Sequence, residues 1–122
     1  MSYRKNSDLL ETFEFNDLIE SLKRVDNNTL EIKLTDGTII YRLHNTNIIT
    51  IRDSKVSYNS GGYHTITTKD RMNKFTPIDR HTIVQNNFKW YIENGNDTID
   101  FYDNIEFNKD GELISEKNQK KT

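Results

Sequence analysis

The residues with the most chemistry in them lie close together. Tyr58-Asn59-Ser60-Gly61-Gly62-Tyr63-His64-Thr65-Ile66-Thr67-Thr68-Lys69-Asp70-Arg71 joins a glycine pair, two tyrosines, a histidine, several threonines and two bases. Backbone N–H groups in a glycine-rich turn and at a helix start attract anions, phosphate above all. Hydroxyls and cationic side chains add donors, and tyrosine rings offer faces on which bases stack. The run therefore reads as a nucleic-acid contact surface built from Tyr63, His64, Thr67, Thr68, Lys69, Arg71 and Lys74. Lys69 and Arg71 would take phosphates and Tyr63 would stack. No Gly-Lys-Thr/Ser triplet occurs, so this is not a phosphate-binding loop of the nucleotide-hydrolase kind. The competing reading is a strand-to-helix connection in which the glycines only turn the chain and Tyr63 packs in the core.

The three histidines, His44, His64 and His81, lie in three different segments. With no Cys, a zinc site would need them plus a carboxylate such as Asp70 or Asp79. Pairs of histidines also do general acid–base work. No His-x-His, His-Glu-x-x-His or paired-carboxylate spacing is present, and Ser60 lacks the nucleophile-elbow pattern. No catalytic or metal-binding residue is assigned and no cofactor is expected. His44 reads as a strand-end cap and His81 as a residue of an exposed strand.

Elements must position these groups, and composition limits which. The chain has 122 residues, no Cys, no Ala and one Pro, long enough for a core without disulfides. The missing Ala and the many Ile and Thr favour strands over a helical bundle. No stretch approaches the roughly 18 apolar residues of a membrane span, and no signal peptide is evident at Met1–Asp8. A soluble protein of a reducing compartment is expected, with no membrane partner.

Asn16–Val25 spaces apolar residues at 18, 19, 22 and 25 and reads as an N-terminal helix. Alternation over Leu30–Leu34, a turn at Thr35–Thr38, and short apolar runs at 39–43, 48–51 and 56–58 read as an antiparallel meander. Thr67 and Asp70 resemble a capping box for a short helix over 68–75, ending before Pro77. Ile66, Met72 and Phe75 would face the sheet, and Lys69, Arg71 and Lys74 would point largely outward. Strands follow at 82–85 and 88–92 around Asn86-Asn87, then at 98–102, with a small hairpin around 108–111. The fold class is α+β: a twisted antiparallel sheet, rolled toward a barrel in one version, with two helices. Residues 1–114 form one domain and 115–122 a polar tail.

The near-neutral total of 17 bases against 19 acids hides a division. Residues 38–90 carry eight bases against three acids, while 91–116 carry one base against eight acids. The basic centre suits nucleic acid. The acidic stretch Glu93, Asp97, Asp100, Asp103, Glu106, Asp110 and Glu112 suits a basic protein partner, or is simply a solvated edge.

Leu43-His44-Asn45-Thr46-Asn47-Ile48, followed by Ser60-Gly61-Gly62-Tyr63-His64-Thr65-Ile66-Thr67-Thr68-Lys69, resembles a family of small uncharacterised tailed-bacteriophage proteins over roughly residues 40–92. Tyr63 stands where that family usually has Trp. The resemblance implies a phage product acting in the cytoplasm of the infected bacterial host, and it implies no activity. Three function classes follow. The first is a non-enzymatic accessory protein binding nucleic acid through the basic centre. The second is an inhibitor binding a host or anti-phage defence protein through a charged surface. The third is a His-dependent hydrolase.

Overall fold

The computed structural model describes residues 18–114. Among the described residues nine strands form two antiparallel sheets, and one helix lies between β5 and β6 in the chain. The order is β1 (Ile19–Asp26), β2 (Thr29–Leu34), β3 (Ile39–Leu43), β4 (Thr46–Arg52), β5 (Lys55–Tyr58), α1 (Ile66–Phe75), β6 (His81–Asn86), β7 (Lys89–Asn94), β8 (Asp97–Asp100) and β9 (Ile105–Asn108). The larger sheet runs β1-β2-β3-β4-β5-β9 and the smaller β6-β7-β8. The architecture is thus mainly β, with two open sheets in place of a closed barrel.

The meander forms where alternation demands it. Ile49, Ile51, Val56, Tyr58, Ile105 and Phe107 fall on one face of the larger sheet through the registers Ile51↔Val56, Ile49↔Tyr58, Val56↔Phe107 and Tyr58↔Ile105. The smaller sheet adds Ile83, Trp90 and Ile92, α1 adds Met72, and together they close the main core. Tight turns use the residues that tolerate positive φ: Asp53-Ser54 at +52° and +64°, and Gly37 at +95°. A register shift between Tyr41 and Arg42 sets Ile48 as an extra residue on β4. That bulge turns both Ile48 and Ile49 into the core.

The N-terminal helix expected over 16–25 is instead strand β1 from Ile19 onward. The helical spacing of Leu18, Ile19, Leu22 and Val25 is imitated by a strand with two irregularities, between Ile19 and Ser21 and between Arg24 and Asp26. Each bulge shifts the period-2 pattern by one residue, and the sum looks like a helix. Residues 16 and 17 of that expectation, and the tail 115–122, lie outside the described residues.

Helix α1 begins two residues earlier than the expected 68. Its N-cap is Thr65, whose Oγ1 accepts from the Thr68 N–H at 3.1 Å, not a Thr67–Asp70 box. The longer helix includes Ile66, which at 100° per residue falls off the face shared by Met72 and Phe75. Met72 and Thr68 are buried and Phe75 stacks on Tyr41 at 4.9 Å, but Ile66 turns to solvent. Arg71 turns inward and donates to Thr29 Oγ1 at 3.1 Å, with Asp26 3.5 Å away. Asn73 caps the edge of the smaller sheet: its Nδ2 donates to the Ile83 carbonyl at 3.0 Å, and its Oδ1 accepts from the Ile83 N–H at 2.7 Å.

Candidate functional site

The glycine pair makes a tight turn. The Tyr63 N–H bonds to the Ser60 carbonyl at 3.0 Å, and Gly61 and Gly62 hold φ of +68° and +84°. Every amide in it has an internal acceptor. Ser60 N–H donates to Asp103 Oδ1 at 2.7 Å, Gly61 N–H to Asn59 Oδ1 at 2.8 Å, and Gly62 N–H to Ser60 Oγ at 3.1 Å. Ser60 Oγ also bonds to Asp103 Oδ1 at 2.8 Å. The turn is tied across 43 residues to the β8–β9 loop, and its donors are spent on the protein itself. Asp103 is therefore an anchor within the fold, set apart from the acidic stretch to which it belongs in sequence.

Beyond the turn the chain climbs over the smaller sheet. The His64 ring lies on Trp90, centroids 4.4 Å apart and planes within 16°, and meets the edge of Phe101. Tyr63 is not in the core but 67% exposed. It lines a pocket of about 450 Å³ with His44, Thr46, Thr65 and Thr67. Next to it, Ile66 and Lys69 of α1 share a shallow groove of about 500 Å³ with Asn87 and Phe88 of the β6–β7 turn.

The expected contact residues divide. Tyr63, Thr67 and Thr68 line the pocket, His64 covers Trp90, and Lys69 lines the groove. Arg71 and Lys74 lie elsewhere, on Asp26. Lys74 Nζ bonds to Asp26 Oδ2 at 2.6 Å, and Arg71 also pairs with Asp70 at 2.7 Å. The Lys74 hydrogen bond, with the Asn27 amide behind it, holds the Asp26 carboxyl below its usual range. Among the other central bases, Arg42 sits on the sheet face away from α1, opposite Leu30 in register, and donates to Asn47 Oδ1 at 2.8 Å. The basic segment of the sequence is thus not one basic surface.

Sequence reasoning missed Phe88. It is 92% exposed at the hairpin tip, and with Asn87 it forms the two-residue turn, φ +54° and +65°. Such turns favour Asn-Gly, because the second residue needs positive φ. A bulky residue there costs free energy and here gains no burial in return. The 76% exposed Ile66 facing the same groove makes the cost more pointed.

A family model described as Kyanoviridae Gp96 protein matches residues 11–113, most of the chain. The chain belongs to the Kyanoviridae Gp96 protein family. The resemblance to small tailed-phage proteins is borne out. No curated protein and no solved structure is significantly similar to it. No helix among the described residues of this Gp96 family member is long and apolar enough to cross a membrane.

The histidines do not meet. His44 is in the β3–β4 turn beside the pocket, His64 is on Trp90, and His81, expected on an exposed strand, is buried. Among the described residues no group of three or more His, Asp or Glu side chains is placed to hold a metal. His81 completes a directed network. Its Nε2–H donates to the Gly111 carbonyl at 3.3 Å, which leaves Nδ1 to accept from the Tyr58 hydroxyl at 2.8 Å. Tyr58 in turn meets Thr76 Oγ1 at 2.6 Å, and burial raises its phenol to about 12.

Burial lowers the His81 pKa from its ordinary 6.5, against the Gly111 bond and with Arg80 adding to the fall. The unfolded chain then binds the proton more readily than the folded one. Stability from neutral His81 is complete above about pH 6.5 and is lost as pH falls through the window below it. Urea titrations from pH 7.5 to 5 should show this decline. His81→Gln should flatten it, while the Asp26 and Asp36 carboxyls, both lowered from 3.8, act only at more acid pH.

Proposed function

We propose that this phage-family protein is a non-enzymatic binding protein that grips a host or anti-phage defence protein through Phe88 and Ile66, with Lys69 and Tyr63 on the rim. The observation that carries this reading is Phe88 itself, 92% exposed at φ +65°. A local cost with no compensation inside the fold marks a residue kept for an outside contact. Exposed aromatic and aliphatic anchors beside a shallow groove match the chemistry of a protein interface core.

The nucleic-acid reading keeps Tyr63 as a stacking face and Lys69 as a cation. It loses the glycine turn's amides to internal acceptors, and Arg71 and Lys74 to Asp26. The acidic surface contributes exposed Asp97 and Asp100 on β8, the latter near Lys89 at 3.4 Å, at the opposite edge of the smaller sheet from α1.

Immobilised wild-type protein should retain one defined protein from host lysate, and the Phe88→Ser, Ile66→Ser double variant should retain at least tenfold less. Capture that ignores both substitutions would refute the reading. So would tight binding of single-stranded or duplex DNA or RNA that weakens steeply with salt and with Lys69→Ala.

A further inference from the structure

We infer that β1 is a dimerisation edge: two copies of the chain pair their β1 strands antiparallel about Leu22, joining the six-stranded sheets into one. Among the described residues β1 is the outermost strand of the larger sheet, and residues 20–24 are all exposed. It carries no Pro and its Leu22 is 42% exposed, while its charges and two bulges limit edge pairing to a register that accommodates them.

The backbone direction selects the register. The Leu34 N–H bonds to the Thr38 carbonyl across the β2–β3 hairpin. Bonding alternates along an antiparallel strand, so even-numbered residues of β2 bond to β3 and odd-numbered ones to β1. Through Lys23↔Glu31 and Ser21↔Lys33, residues 21 and 23 then bond to β2, and Leu22 and Arg24 turn their N–H and C=O groups to the free edge.

The side chains select the same register. With Leu22 on the two-fold axis, Leu22 meets Leu22 of the second copy, Ser21 lies across from its Lys23, and Glu20, at the bulge, comes beside its Arg24. Opposite charges face each other on both sides of the apolar Leu22 pair, and no like charges meet. Centring on Lys23 sets Lys against Lys and Glu20 against Asp26, centring on Arg24 sets Arg against Arg, and centring on Glu20 sets Glu against Glu. Only the Leu22 register satisfies both the free-edge backbone and the charges, and it is isologous, so the assembly closes at two. Leu22 opposes Ile32 in register, which places the new contact beside the apolar cluster Ile32, Leu34 and Ile40.

Sedimentation equilibrium of the full chain should give a dimer. Leu22→Asp, Glu20→Arg and Arg24→Glu should each raise its dissociation constant at least tenfold, with unchanged circular dichroism. The charge swap Glu20→Arg with Arg24→Glu should restore the wild-type constant, and the two single charge variants should associate with each other when mixed. A monomer at all concentrations would overturn the proposal, including one whose β1 amides are protected by another part of the chain. A dimer indifferent to these substitutions would overturn it too.

Discussion

Gly61→Ala destabilises the protein by about 2–5 kcal/mol, while the neighbouring Gly62→Ala costs only about 1–2 kcal/mol. Both glycines hold positive φ, +68° and +84°, so both alanines pay for the left-handed backbone. Space separates them. A Cβ on Gly61 would lie 2.5 Å from Thr46 Oγ1 and 2.9 Å from Thr46 Cγ2, whereas one on Gly62 meets nothing within 4 Å. The Thr46 side chain is short and branched on a strand, so it cannot swing aside, and Gly61 is pinned by its bond to Asn59. Thr46→Ala removes both clashing atoms and should recover part of the loss in the Gly61→Ala background but nothing in Gly62→Ala. Chemical denaturation of the wild type, the three single variants and the two double variants checks this as two double-mutant cycles. Equal costs at the two glycines would mean that the turn does not press on β4.

This contrast also explains what the sequence showed of the site. The glycine pair was legible as a place where backbone must turn or approach closely, and it does both. What it approaches, Thr46, lies 15 residues away across the β4–β5 hairpin, and no local pattern reports that. The internal use of the turn's amides was hidden for a similar reason. The acceptors of the turn's amides are side chains of Asn59, Ser60 and Asp103, and Asp103 comes from the far end of the chain.

Strand β2 was legible because it has one buried face and therefore alternates, and β3 to β5 because they are short apolar runs between polar turns. β1 was not, because an exposed edge strand with two bulges has no alternation to show. Arg71 was not legible as an inward residue because periodicity places it between the two faces of the helix. It lies one turn after buried Thr68, at the border of the buried face, and its long side chain reaches Thr29 and Asp26. Phe88 was hidden by symmetry. Placing the hairpin turn at Asn86-Asn87 or at Asn87-Phe88 keeps Ile83, Trp90 and Ile92 on one face in both cases, since the register moves by two. The apolar pattern then counts Phe88 as a core residue of β7 when it is the tip of the turn.

Phe88→Gly should do two opposite things. It removes a bulky side chain from φ +65°, and places there the residue that such turns prefer. Phe88 is 92% exposed, so almost no buried area is lost. Offsetting the added freedom of glycine in the unfolded chain, the net result is a gain of about 0.5–1 kcal/mol. The same change deletes the anchor of the proposed interface, and losing an interface anchor of this type costs about 2 kcal/mol or more of binding, roughly 30-fold. Few substitutions raise stability and abolish binding together. Those that do mark sites where a fold carries a local cost for function.

The decisive measurement is therefore a paired one on Phe88→Gly: melting temperature, and affinity for the protein that the wild type retains from host lysate. The account predicts a higher melting temperature with binding weakened at least tenfold. Binding that survives unchanged in Phe88→Gly, whatever its melting temperature, would contradict it.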